Sequence, residues 1–99
     1  MTKKENLLLV AMEECSELQQ AISKAMRFGM DRIVPETDCT NEHHIMVEYQ
    51  QLQAVMNMLK TRGIICDLSD YDREAAASLK IDRVQHYEQV SEELGCIKD

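Results

Sequence analysis

The chain has no tryptophan, one proline (Pro35), three isolated glycines and only 4 % aromatic residues, which disfavours a β fold built from aromatic and β-branched strands. With so few glycines there is also no Gly-rich phosphate loop. Basic residues are outnumbered, 11 against 18 acidic, giving a formal charge of −7, and this argues against a general nucleic-acid or anionic-membrane surface. No apolar run is long enough to span a membrane. The segment "NLLLVAM" after Lys3 and Lys4 has the outline of a signal peptide, but it is too short and Glu13 and Glu14 interrupt it. The four cysteines, Cys15, Cys39, Cys66 and Cys96, are widely spaced without a C-x-x-C pair, so reduced thiols in a cytoplasmic setting are expected.

What is abundant is Met, Leu, Glu, Gln and Ala, the composition of a helical protein. Leu7, Val10, Ala11, Leu18, Ala21, Ile22 and Ala25 recur at three-, four- and seven-residue intervals and predict a first helix from about Lys4 to Phe28, stopped at Gly29. "MDRIVPETDC" has no helical period and reads as a loop. Thr40 or Asn41 caps a second helix carrying Ile45, Leu52, Val55 and Leu59 to about Thr61, and Gly63 ends it. Ser69 and Asp72 resemble a capping box opening a third helical region that closes at Gly95, with "AAAS" (residues 75–78) either a break or a continuous turn. The expected fold is all-α, one domain over residues 1–99, an antiparallel bundle of three to four helices. A chain this small buries a modest share of its surface, so a homodimer or homotetramer is expected.

The anomaly lies inside the apolar stripes. Glu14 has Leu7 and Ala21 seven residues away, Val10 and Leu18 four away and Ala11 three away, so it occupies the middle of the first stripe. Glu17 follows at the stripe's edge, and Glu13 lies toward the polar side. On the second helix Glu48 is flanked by Ile45, Leu52 and Val55, with Gln51 one turn on. Antiparallel packing of the two stripes brings these patches together. An ionised carboxylate buried without a partner costs several kcal/mol, against a net stability of ~5–15 kcal/mol for a whole domain. Compensation comes from a basic side chain, a shared proton or a divalent cation; oxygen ligands without converging Cys or His suit Mg²⁺ or Mn²⁺. The plainer alternative is that the glutamates reach the bundle edge or pair with Lys24, Arg27, Lys80 or Arg83.

The same residues carry a resemblance. E-x-x-E at Glu14 and Glu17, followed by Glu48 and Gln51 on the next helix, within "EECSELQQAISKAMRFG" and "TNEHHIMVEYQQLQAVMNMLKTRG", resembles the MazG-like all-α nucleotide pyrophosphohydrolases, in particular the small phage-encoded members. The tail "KIDRVQHYEQVSEELG" is similar to their last helix, so the likeness spans most of the chain. It implies Mg²⁺-dependent hydrolysis of a nucleoside triphosphate to the monophosphate and pyrophosphate in a helical oligomer. Glu14, Glu17 and Glu48 match the metal ligands, and Glu13 matches the acid before them. Gln51 stands where the family has aspartate, and its amide oxygen brings no charge and cannot act as a base. The implied catalytic carboxylates are Glu17 and Glu13. A pocket that binds a nucleotide without cleaving it, sequestering a host signalling nucleotide, is the alternative.

Lys80 and Arg83, three apart near the stripe of the last helix, and Lys24 and Arg27 near the end of the first are candidates for phosphate contact; each also suits a surface cation with a buried stem. Tyr87 is a candidate for base stacking or a phosphate hydrogen bond, or a stripe residue with its hydroxyl at the edge. Cys39, His43 and His44 do not make a zinc site, since adjacent histidines on a helix point apart. Cys15 has no evident base to activate it.

Overall fold

The computed structural model describes all residues 1–99 and consists of helix α1 (Lys3–Phe28), strands β1 (Ile33–Val34) and β2 (Cys39–Thr40), helix α2 (Asn41–Thr61) and helix α3 (Asp70–Glu93). About 72 % of the chain is helical, which is the all-α class expected from composition. It falls into two units, Met1–Cys66 and Asp67–Asp99.

Local chemistry sets the helix ends. Thr2 caps α1 in a reciprocal box with Glu5: the Glu5 amide donates to Thr2 Oγ1 and the Thr2 amide donates to Glu5 Oε2, each at 3.1 Å. At the other end Gly29, with φ +101°, donates its amide to Ala25 O. Thr40 caps α2 by accepting from the His43 amide, and Ser69 caps α3 by accepting from Asp72. The alanine run at residues 75–78 is a continuous part of α3, as expected of the strongest helix former once no breaker interrupts it.

The segment read as a loop holds a small hairpin. Ile33 pairs with Thr40 and Val34 with Cys39 in antiparallel register. Two-residue strands leave no period in a sequence. The turn is tied by Thr37, whose amide and hydroxyl both donate to Val34 O, and it places Glu36 and Asp38 at positive φ, 73° and 57°.

In the first unit α1 and α2 run antiparallel. Leu59, near the end of α2, packs with Leu7 and Ala11 near the start of α1, and Val55, Ile64 and Ile65 close over them. At the opposite end Asn41, the first residue of α2, is buried at 4 % exposure and donates its side-chain amide to Gly29 O at 2.8 Å. Burial follows a three–four spacing on each helix: residues 7, 11, 14, 18, 21 and 25 of α1, and 41, 45, 48, 52, 55 and 59 of α2, are all buried or half-buried. Within that repeat the third position is a glutamate on both helices. In the second unit α3 buries none of its residues. No helix is long and apolar enough to cross a membrane.

Replacing the buried Asn41 by Ala removes its bond to Gly29 O, which keeps only the longer bond from the Arg32 amide at 3.4 Å, and is expected to lower unfolding stability by about 1 kcal/mol. Urea denaturation followed by circular dichroism measures it; an unchanged midpoint would show that the joint is not held by this bond.

Candidate metal centre

Glu14 and Glu17 lie one turn apart on α1, and Glu48 faces them from α2. One carboxylate oxygen from each of the three lies within 4.8 Å of the others. The arrangement follows from the shared spacing: Glu14 and Glu48 replace apolar residues in facing seams, and Glu17 stands beside the seam with its carboxylate exposed. Around an octahedral Mg²⁺ with oxygens at ~2.1 Å, adjacent ligands are about 3 Å apart and opposite ones about 4.2 Å. Three oxygens inside 4.8 Å are therefore close enough for side-chain adjustment to bring them round one ion.

The remaining atoms are unevenly satisfied. Glu48 Oε1 accepts from His44 Nε2 at 3.0 Å across one turn of α2, while Glu48 Oε2 and Glu14 Oε2 are buried without a hydrogen-bond partner. Buried carboxylate oxygens ordinarily find donors, so two orphans beside a third carboxylate are a costly arrangement unless a cation or a shared proton completes it. His44 Nδ1 is also buried and unpartnered. With its hydrogen on Nε2 the ring donates to Glu48 and leaves only a lone pair at Nδ1, which costs less to bury than an N–H.

The crowding raises the Glu17 carboxyl above the ordinary glutamate range. The Glu14 charge contributes most, followed by local loss of solvent, the Glu48 charge and hydrogen bonding, and the Glu13 charge. Glu13 itself is exposed on α1 and acts on the cluster only through its field.

The other candidates are distributed differently. Gln51 is exposed one turn from Glu48 and lines a shallow apolar groove of about 380 Å³ with His43, Met46, Val47, Gln50 and Ala54. Lys24 and Arg27, three residues apart, diverge: Lys24 borders a cavity with Phe28 and Arg32, and Arg27 a different one with Gln19, Ile22 and Met26. Lys80, Arg83 and Tyr87 belong to the second unit and are exposed on α3, where the Tyr87 ring stands edge-on to His86 at 5.0 Å. Cys39, His43 and His44 form no ligand group; the three glutamates are the one such cluster in the chain. All four cysteines are free.

The residue that sequence reasoning missed is His44. Its signal is the four-residue spacing to Glu48, which puts the two side chains on one face of α2. Searches of protein-family models, curated proteins and solved structures return no significant match to this chain.

Because Glu17 holds its proton more tightly folded than unfolded, its ionisation destabilises the metal-free fold. The penalty is absent below the ordinary glutamate value of 4.5 and grows as pH rises through the higher folded value. In a chelator-treated sample Glu17→Gln is expected to melt higher than the parent at pH 7 and together with it below pH 4.5. Equal melting temperatures at both pH values would mean that the cluster is not under electrostatic strain.

Proposed function

We propose that this chain is a MazG-like nucleoside triphosphate pyrophosphohydrolase that holds Mg²⁺ or Mn²⁺ through Glu14, Glu17 and Glu48 and works as a homodimer or homotetramer in the cytoplasm. The observation that carries the reading is the cluster itself: three carboxylates from two helices inside 4.8 Å, with two buried oxygens lacking any donor. The donor set fits a hard dication, all oxygen and no sulfur or ring nitrogen at the converging face.

The bound ion would supply charge neutralisation at the phosphate oxygens. The protein's part is to orient and deprotonate the attacking water. Water oxygen attacks the α-phosphorus, the bond to the bridging oxygen breaks, pyrophosphate leaves, and the water proton passes to a carboxylate. Glu17 suits that role because it is the exposed member of the cluster, next to the solvent that supplies the water; Glu13, one turn before it, is the second carboxylate in reach of the same solvent. His44 holds Glu48 by one oxygen and so leaves Oε2 for the ion, the usual task of a partner behind a metal ligand. Arg27, on the same helix as Glu14 and Glu17, remains a candidate for a phosphate contact.

Oligomerisation is supported by the small core. Only five apolar residues are buried, while Leu8, Leu9, Met12, Ile22 and Met26 on α1 and Leu79, Val84 and Tyr87 on α3 stay exposed.

A second reading, a protein that sequesters a signalling nucleotide without cleaving it, is favoured by Gln51. The amide at the fourth ligand position supplies no charge and no base.

Incubating the purified protein with linear, modified and cyclic nucleotides plus Mg²⁺ or Mn²⁺, then separating products before and after denaturation, decides between them. The hydrolase predicts metal-dependent pyrophosphate release that Glu48→Ala or Glu14→Gln lowers at least ~100-fold, and a metal affinity that His44→Ala lowers about 10- to 100-fold. Nucleotide that leaves solution and returns intact on denaturation would establish sequestration, and neither product nor binding would reject both.

A further inference from the structure

The hairpin between α1 and α2 encloses a cavity of about 220 Å³ lined by Lys24 and Phe28 of α1, Arg32, the β1 residues with Pro35, and Asn41 of α2. We propose that it binds a phosphate monoester carried on a single flat ring, independently of the glutamate cluster and without a metal.

Charge is the first argument. In a chain with a formal charge of −7, neither Lys24 nor Arg32 makes an ion pair or a side-chain hydrogen bond. Two cations bordering one small cavity repel each other, and an oxyanion between them relieves that repulsion while gaining charge-assisted hydrogen bonds. Two cations also match a doubly charged phosphate better than a carboxylate.

The second argument is the wall. The Arg32 guanidinium lies over the Phe28 ring, 5.3 Å from its centroid, and a contact with a ring face leaves guanidinium N–H groups available to a phosphate. Ile33, Val34 and Pro35 give the cavity an apolar side on which a ring can lie. At about 220 Å³ the space is below that of drug-sized ligand sites, so it accommodates a phosphate and one ring rather than a whole nucleotide.

The third argument is that the cavity is already built. The Asn41 amide donates to Arg32 O at 2.9 Å, the Glu42 amide to Met30 O at 3.1 Å, and the buried Asn41 side chain to Gly29 O. The backbone that carries Arg32 is thus pinned to the first turn of α2 before any ligand arrives, which removes part of the ordering cost of binding. Lys24 lies two helical turns beyond Glu17, roughly 10 Å along α1, so the cavity and the glutamates are separate places.

The test is a titration of the full chain with phenyl phosphate, followed by ¹H–¹⁵N NMR with chelator present throughout. Saturable shifts are expected at residues 24, 28, 32–34 and 41, with little change at Glu14, Glu17 and Glu48. Arg32→Gln and Lys24→Gln are each expected to weaken binding about tenfold, and inorganic phosphate to bind more weakly than phenyl phosphate. Glu48→Ala should bind phenyl phosphate as the parent does, even where it abolishes every metal-dependent property. The proposal is overturned if no saturable shifts occur at the hairpin, if they survive both cation substitutions, or if they appear only when Mg²⁺ replaces the chelator. The variants' own spectra show whether they are folded.

Discussion

Two glutamates occupy positions in the α1–α2 seam that the helical repeat otherwise gives to apolar residues, and the rest of the first unit is arranged around that fact. The seam is closed above and below the charges by different means. At one end Leu7, Ala11 and Leu59 bury apolar surface; at the other Asn41 ties the start of α2 to the end of α1 through Gly29. Between them Glu14 and Glu48 are half-buried, each with one oxygen that meets no donor. Hydrophobic burial at roughly 25 cal/mol per Å² holds the two helices together at the ends, so the carboxylates cannot relax apart without opening packed structure. Repulsion is thereby stored at the centre, and it registers on the most exposed member, Glu17, as a raised pKa.

This tension distinguishes the cluster from an ordinary acidic surface. Exposed carboxylates separate or hydrate at little cost, whereas these are positioned by helices that are anchored elsewhere. The dication proposed above would convert this repulsion into attraction and give the orphan oxygens a partner. The same anchoring explains why His44 matters. One hydrogen bond to Oε1 removes a rotational choice from Glu48 and leaves the other oxygen directed to the cluster.

Much of this was legible in the sequence because helices declare their periods and ends. Three- and four-residue spacing placed Glu14 and Glu48 in the stripes, and the residues at Gly29, Thr40 and Ser69 marked helix ends that the backbone uses. What spacing does not carry is the conformation of long side chains and of short irregular segments. Lys24 and Arg27 are neighbours on a helical wheel yet border different cavities. The strands of the hairpin are too short to show alternation, and its turn depends on positive φ at Glu36 as well as at Asp38, of which only the aspartate is a residue type enriched there. The Arg32–Phe28 pairing depends on that turn, so it was equally hidden. For α3 the sequence showed an apolar stripe, but a helix that buries none of its residues fully gains little stability from packing within its own unit.

Gln51 bears on the proposed chemistry through charge balance. Three carboxylates and one dication leave the site with one formal negative charge; an aspartate in place of Gln51 would leave two. The missing charge weakens the hold on the ion, since Coulomb attraction in a partly buried site is not well screened. It also lessens repulsion of an incoming polyphosphate, which must approach the same ion with its own negative charge. The two effects oppose each other, and their balance depends on how much of the ion's binding comes from the protein and how much from the phosphate oxygens. Gln51 is exposed, one turn away from the half-buried Glu48, so solvent moderates the charge it lacks more than it moderates the charge of Glu14 or Glu48. Under the proposed chemistry an acid at this exposed position would therefore add less to the hold on the ion than the half-buried Glu14 or Glu48 does.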